Sequence, residues 1–100
     1  MKYNEYKVRT HVFLYPGMAG WHFAMIPPDI SADIKKQFGD NKRGWGSLPV
    51  NVTTGKTTWK TSIFPDKESG GYLLPLKADV RKKEGIKAGA TIILLIEIRV

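Results

Sequence analysis

Cysteine is absent from the sequence. That excludes a disulfide framework, a thiolate metal site and a thiol nucleophile, and leaves stability to packing alone. Acidic residues are scarce beside basic ones, nine against sixteen, so the net charge is +7. Long apolar runs are also missing. The longest, residues 92–96, falls far short of the roughly 20 residues that cross a bilayer as a helix. The segment MKYNEYKVRTHVFLYPG lacks the unbroken apolar core of a signal peptide, so a cytoplasmic location is expected. Histidine occurs at His11 and His22 alone, with no carboxylate at ligand spacing. No metal and no cofactor are expected from such a set.

What is present describes a small globular domain. The 100 residues are 42% hydrophobic and 25% charged, which suits a single domain over residues 1–100 with one modest core. The basic excess is spread over both halves of the chain. It biases the protein toward polyanions, such as nucleic acid or phosphorylated ligands.

Periodicity divides the chain into strands and two short helices. Glu5 to Tyr15 alternates, with Tyr6, Val8, Thr10, Val12 and Leu14 on one face and Lys7, Arg9, His11 and Phe13 on the other. Residues 21–26 form a second strand with Trp21, Phe23 and Met25 on a common face. Pro27-Pro28 ends it. A helix is expected over Ser31–Phe38, capped by Asp29 or Ser31, with Ile30, Ile34 and Phe38 at helical spacing and Gly39 beyond its end. The run 48–64 reads as a hairpin turning at Thr54-Gly55. Tyr72–Leu74 is a short strand stopped by Pro75. A second helix is expected near Lys77–Lys83, closed by Gly85. The last strand starts at Thr91. Because Ile93 and Leu95 join Ile92, Leu94, Ile96 and Ile98, its early part is expected to be covered on both faces.

The two helices are related. Residues 33–39, DIKKQFG, and 79–85, DVRKKEG, share three of seven positions, with two further conservative pairs. An apolar residue and a proline precede each, at Ile26-Pro27 and Leu74-Pro75. A strand–helix–strand unit cannot bury its apolar face alone, but two such units can stack. The expected fold is therefore mostly β: a small barrel of about six strands with two short helices, formed by an internal pseudo-repeat.

The run LPLKADVRKKEGIKAG, from Leu74 to Gly89, resembles the DNA-binding half-barrels of the AbrB and MazE type. Those build a double-split barrel from two chains, whereas here both halves lie in one. More of the chain resembles the domain-of-unknown-function family DUF1905. The residues that carry this are Trp21-His22-Phe23, Arg43-Gly44-Trp45-Gly46-Ser47, Pro49-Val50, Trp59-Lys60-Thr61-Ser62, Phe64-Pro65, Lys67, Gly71-Tyr72, Leu74-Pro75 and Val80-Arg81. Ala90 departs from the aspartate usual at that place. The resemblance implies a double-split β-barrel and brings no activity with it.

Two surfaces are candidates for function. Arg43, Trp45, Trp59, Lys60, Ser62 and Lys67 mix aromatic rings with cations and a hydroxyl, as a groove for an anionic ligand would. The second is the basic helix, with Lys77, Arg81, Lys82, Lys83 and Lys87, and its repeat partner bearing Lys35 and Lys36. Such cations neutralise phosphates and release counterions. Few exposed aromatics are expected near these lysines, which argues against a stacking platform for single strands. Gly55-Lys56-Thr57 is no P-loop, since the first glycine of that pattern would fall at Val50. Asn51-Val52-Thr53 fits a glycosylation acceptor in a chain with no sign of secretion. Ser62 has no neighbouring histidine to activate it.

These features point to a non-catalytic binding module, a monomer or weak homodimer without membrane attachment. Nucleic acid or another anion on the basic helices is the leading partner. A small-molecule or enzymatic groove around Arg43 to Lys67 and a protein-interaction surface are the rivals.

Overall fold

The computed structural model describes residues 4–15, 20–41 and 46–99. Six strands are formed: β1 (Glu5–Leu14), β2 (His22–Ile26), β3 (Leu48–Thr54), β4 (Thr57–Pro65), β5 (Tyr72–Leu76) and β6 (Thr91–Ile98). Helix α1 (Pro28–Phe38) leads from β2 toward β3, and α2 (Ala78–Glu84) leads from β5 toward β6. The strands close into an antiparallel barrel in the order β1-β2-β5-β4-β3-β6. The expected mostly-β barrel of six strands and two helices is what the chain forms.

Alternation decides the inside. Val8 and Val12 of β1, Val50 and Val52 of β3, and Leu94, Ile96 and Ile98 of β6 are buried to 1% exposure or less. Strand β6 pairs with β1 over seven positions, from Glu5↔Glu97 to His11↔Thr91, and with β3 over four. Its outward residues Ile93 and Leu95 are 52% and 42% exposed, so the expected double cover is not there. The reason is architectural. The helices plug the mouths of the barrel and leave this part of the outer wall to solvent.

Antiparallel pairing of β2 with β5 sets the two plugs apart. His22 lies opposite Leu76 and Ile26 opposite Tyr72, so the chain enters α1 at one mouth and α2 at the other. From α1, Ile34 and Phe38 enter the core, with Ile30 packed against it; Val80 of α2 and Ile86 beyond it are also buried. Helix α1 starts earlier than expected because Pro28 stands in its first turn, where a fixed φ helps and no N–H is needed. Neither Asp29 nor Ser31 caps it. The Ser31 hydroxyl instead donates to the Ile26 carbonyl (3.0 Å) and accepts from the Tyr72 N–H (3.2 Å), tying α1 to β2 and β5. Gly71 packs so closely here that a Cβ would stand 2.9 Å from the Ser31 hydroxyl.

Strand β5 runs through Pro75 instead of stopping at it. Its ladder to β4 has two pairs and ends at Leu73. Beyond that point β5 is an edge on that side, where a proline is tolerated. The β1–β2 ladder is also short, at three pairs. Strand adjacency around the ring is unchanged when β1, β2 and β3 are exchanged with β4, β5 and β6.

Tyr6, on the inward face of β1 and packed against the core, fastens α1 to that strand. Its hydroxyl donates to Asp33 Oδ2 (2.7 Å), and Gln37 Nε2 donates to the same oxygen (2.7 Å). Burial, then the hydrogen bond to Asp33 and the repulsion a tyrosinate would feel from that carboxylate, raise the tyrosine above its ordinary value of 10.0.

Two outcomes follow from this packing. Ile96→Ala removes a wholly buried side chain and costs about 2–5 kcal/mol in denaturant unfolding; a smaller loss would mean the barrel collapses onto the cavity. The native state disfavours ionised Tyr6, so this contribution is complete below the ordinary tyrosine value and fades as the pH rises past it. Melting temperatures of the wild type should fall more steeply than those of Tyr6→Phe above about pH 10. Parallel curves would remove Tyr6 from the account.

Candidate functional site on the outer barrel wall

The outward face of β1 changes character along its length. Lys7, Arg9 and His11 are exposed, but Phe13 and then Tyr15 are half-buried. The outward residues leading into and along β2 are Trp21, Phe23 and Met25. Phe13 lies opposite Phe23, and the Tyr15 N–H donates to the Trp21 carbonyl (3.0 Å), so four rings come together. Tyr15 meets Phe23 edge-on at 5.2 Å between centroids, and Trp21 stacks near Phe23 at 5.9 Å and 25°. Phe23 is thereby reduced to 8% exposure, while Trp21 keeps 52%. Across β2 come Pro75, opposite Phe23, and Leu73, opposite Met25. Phe64 of β4 follows, opposite Leu73. Five of the eleven aromatic residues share this wall.

Four cavities succeed one another along it. The first, about 410 Å³, lies between Phe13, Tyr15, Met25 and Leu73 and is bounded by Asp66 and Glu68. The second, about 300 Å³, is lined by Tyr15, Trp21, Phe23, Phe64, Pro65, Leu73 and Asp66. The third, about 330 Å³, has Trp21, His22, Pro75 and Leu76 against Lys77, Ala78 and Arg81. The fourth, about 310 Å³, is lined by Ala78, Arg81, Lys82, Gly85, Ile86 and Lys87. Neighbouring cavities share side chains: Tyr15 joins the first two, Trp21 the second and third, and Arg81 the third and fourth. The surface is one track, acidic at one end, aromatic in the middle and basic at the other.

Local structure holds the basic end in place. Arg81 Nε donates to the Leu76 carbonyl (3.2 Å), which draws the guanidinium back over the N-terminal side of α2. His22 Nδ1 donates to the Gly20 carbonyl (3.0 Å), so Nδ1 carries the ring proton. At the other end of α2, Glu84 accepts from Thr57 Oγ1 (2.6 Å) and from the Lys56 N–H (3.3 Å). The β3–β4 hairpin tip is thus clasped to the helix. Gly55 there has φ +57°, and any side chain on it would run into the Glu84 carboxylate. The motif Gly55-Lys56-Thr57 is explained by this clasp and not by phosphate.

The residues singled out in the sequence fall in several places. Lys77, Arg81, Lys82 and Lys87 are brought together on the track, with Lys83 exposed on the same helix. Lys35 and Lys36 are exposed on α1, at the opposite mouth. Arg43 and Trp45 lie outside the described residues. Trp59 faces inward, packed against the core, and its indole N–H is buried with no acceptor among the described residues. Lys60 and Ser62 face outward from the same strand, and Lys67 is exposed in the following turn. The sheet therefore stands between Trp59 and Lys60. The aromatic neighbourhood of α2 was missed in the sequence, because Trp21 reaches Arg81 only through the β2–β5 register. The one signal for it was an aromatic β1 face that follows three exposed polar positions.

Among the described residues, no cluster of three histidines, aspartates or glutamates could hold a metal ion. His11 Nδ1 lies 2.9 Å from Thr91 Oγ1, but this exposed pair spans two neighbouring strands away from the track. No helix among the described residues is long and apolar enough to cross a membrane.

The family model described as "Domain of unknown function (DUF1905)" matches residues 9–96. The chain belongs to the DUF1905 family. The matched span contains the whole track, from Phe13 to Lys87. No curated protein matches the chain.

In this DUF1905 domain Trp21 touches the outer wall without entering the core. Trp21→Ala should cost only about 0.5–1.5 kcal/mol of stability, through the lost ring contact. Denaturant unfolding reads this directly. A loss as large as that from Ile96→Ala would make Trp21 a structural residue and not a free surface.

Proposed function

We propose that this DUF1905 domain is a non-catalytic binding module for anions, nucleic acid foremost, and that its ligand lies against the α2 face. The observation that carries the reading is the cavity where Lys77 and Arg81 face exposed Trp21 across Pro75 and Leu76. Lys82 and Lys87 extend the cationic surface into the next cavity. A net charge of +7 supports the same sign of partner. Arg81 supplies a planar fork suited to phosphate oxygens, and the lysines act as mobile point charges. Lys35 and Lys36 form a second, separate basic patch at the far mouth. A small anionic ligand is the second reading, and it draws on the same cavity, whose volume suits a nucleotide-sized group.

The double-split, AbrB-like character of the barrel belongs to this proposal. It is supported by a strand adjacency that survives exchange of the two halves, and by α1 and α2 each ending at a glycine of the repeated motif. Closure within one chain supports a monomer or weak homodimer. A cytoplasmic setting suits a cysteine-free chain.

Charge reversal tests the reading. The Lys82→Glu, Lys87→Glu double variant should weaken binding of a labelled oligonucleotide and flatten the salt dependence by about two in log–log slope. Reversal of Lys35 and Lys36 gives the contribution of the far patch. An unchanged slope in the α2 variant, or no binding by the wild type at low salt, would sink the proposal.

A further inference from the structure

The track offers more than charge, and we infer that its nucleic-acid ligand is single-stranded, with a base stacked on Trp21 and the phosphates running along Arg81, Lys82 and Lys87. The inference rests on the binding function proposed above and names the class of strand. The indole is half exposed, and its nearest ring neighbour among the described residues, Phe23, lies on the wall beneath. A π-face is therefore presented to the outside, backed by an aromatic cluster. The bases of a duplex are stacked on one another and cannot meet such a face, whereas those of a single strand can.

Charge orients the strand. Lys77 and Arg81 share a cavity with Trp21, so a phosphate beside a stacked base meets a cation directly. At the far side of the rings stand Asp66 and Glu68. Carboxylates repel phosphates, and carboxylate oxygens accept hydrogen bonds from the exocyclic amino groups of bases. The sugar–phosphate chain accordingly keeps to the α2 side, and the bases point across the aromatic wall. Among the described residues, Arg81 has no carboxylate partner, and its guanidinium nitrogens other than Nε have no acceptor, so both are available to a phosphate.

Three probes of the same length separate stacking from electrostatics: an oligodeoxythymidylate of about twelve nucleotides, the more densely charged duplex it forms with its complement, and an abasic deoxyribose-phosphate oligomer with one phosphate per residue like the single strand. The wild type should bind the single strand more tightly than the other two, with partial quenching of tryptophan emission. Trp21→Ala should reduce affinity for the single strand by roughly 5- to 150-fold, to the level of the abasic oligomer, and abolish the quenching. Trp21→Phe should retain most of both. The Lys82→Glu, Lys87→Glu variant should weaken all three probes alike. Equal binding of the three by wild type, unaffected by Trp21→Ala, overturns the stacked strand and leaves the polyanion reading standing. If none binds at low salt, both fall, and a wall that captures a protein while ignoring every oligonucleotide is a protein-docking surface.

Discussion

The ladder between β1 and β6 joins the two ends of the chain, and the ring of strands does not close without it. Asn4 Nδ2 donates to the Ile98 carbonyl across a separation of 94 residues. Seven residue pairs follow inward from there. Contacts so remote in sequence form only after the costly closure of a long loop, and they are rewarded only when the inner face is filled. That filling is done by β-branched and leucine side chains from every strand and by the two helices at the mouths. Once the interior is satisfied in this way, much of the outer wall is relieved of packing duty, Phe23 and Leu73 being buried exceptions. Rings, cations and carboxylates can then be placed on it freely.

The order of elements was legible because period-two alternation and helix-ending glycines are local signals. Alternation separates two faces of a strand but does not say which one faces inward. Trp21, Phe23 and Met25 were recognised as sharing a face, yet only closure of the barrel turns that face outward and leaves Ala24 and Ile26 inside. The same ambiguity made Ile93 and Leu95 look doubly covered. Pro75 looked like a strand end because a proline in a paired strand is costly. The β4 ladder stops before it, a fact that no local pattern contains. Ser31 looked like a cap because serine is a good one; its hydroxyl was already committed to Ile26 and Tyr72.

The candidate site shows the same division. The basic helix could be read directly, since its charges lie within a few residues of one another. Its aromatic partner could not, because Trp21 and Arg81 belong to different halves of the chain and meet through cross-strand register. The expected groove from Arg43 to Lys67 drew residues from both faces of β4, and Trp59 and Lys60 are adjacent in sequence yet separated by the thickness of the sheet. Spacing along one strand is a poor guide to a site built across several.

The short seams on either side of the β2–β5 pair give the wall a mechanical character of its own. With three residue pairs to β1 and two to β4, this pair is attached to the rest of the barrel by few cross-strand hydrogen bonds. The deformable part of the cylinder and its aromatic surface therefore coincide. Small changes in the tilt of β2 and β5 would alter the width of the cleft between Trp21 and Phe64 while the tightly laddered β1–β6–β3–β4 side stays rigid. The barrel is thus stiff on one flank and adjustable on the other.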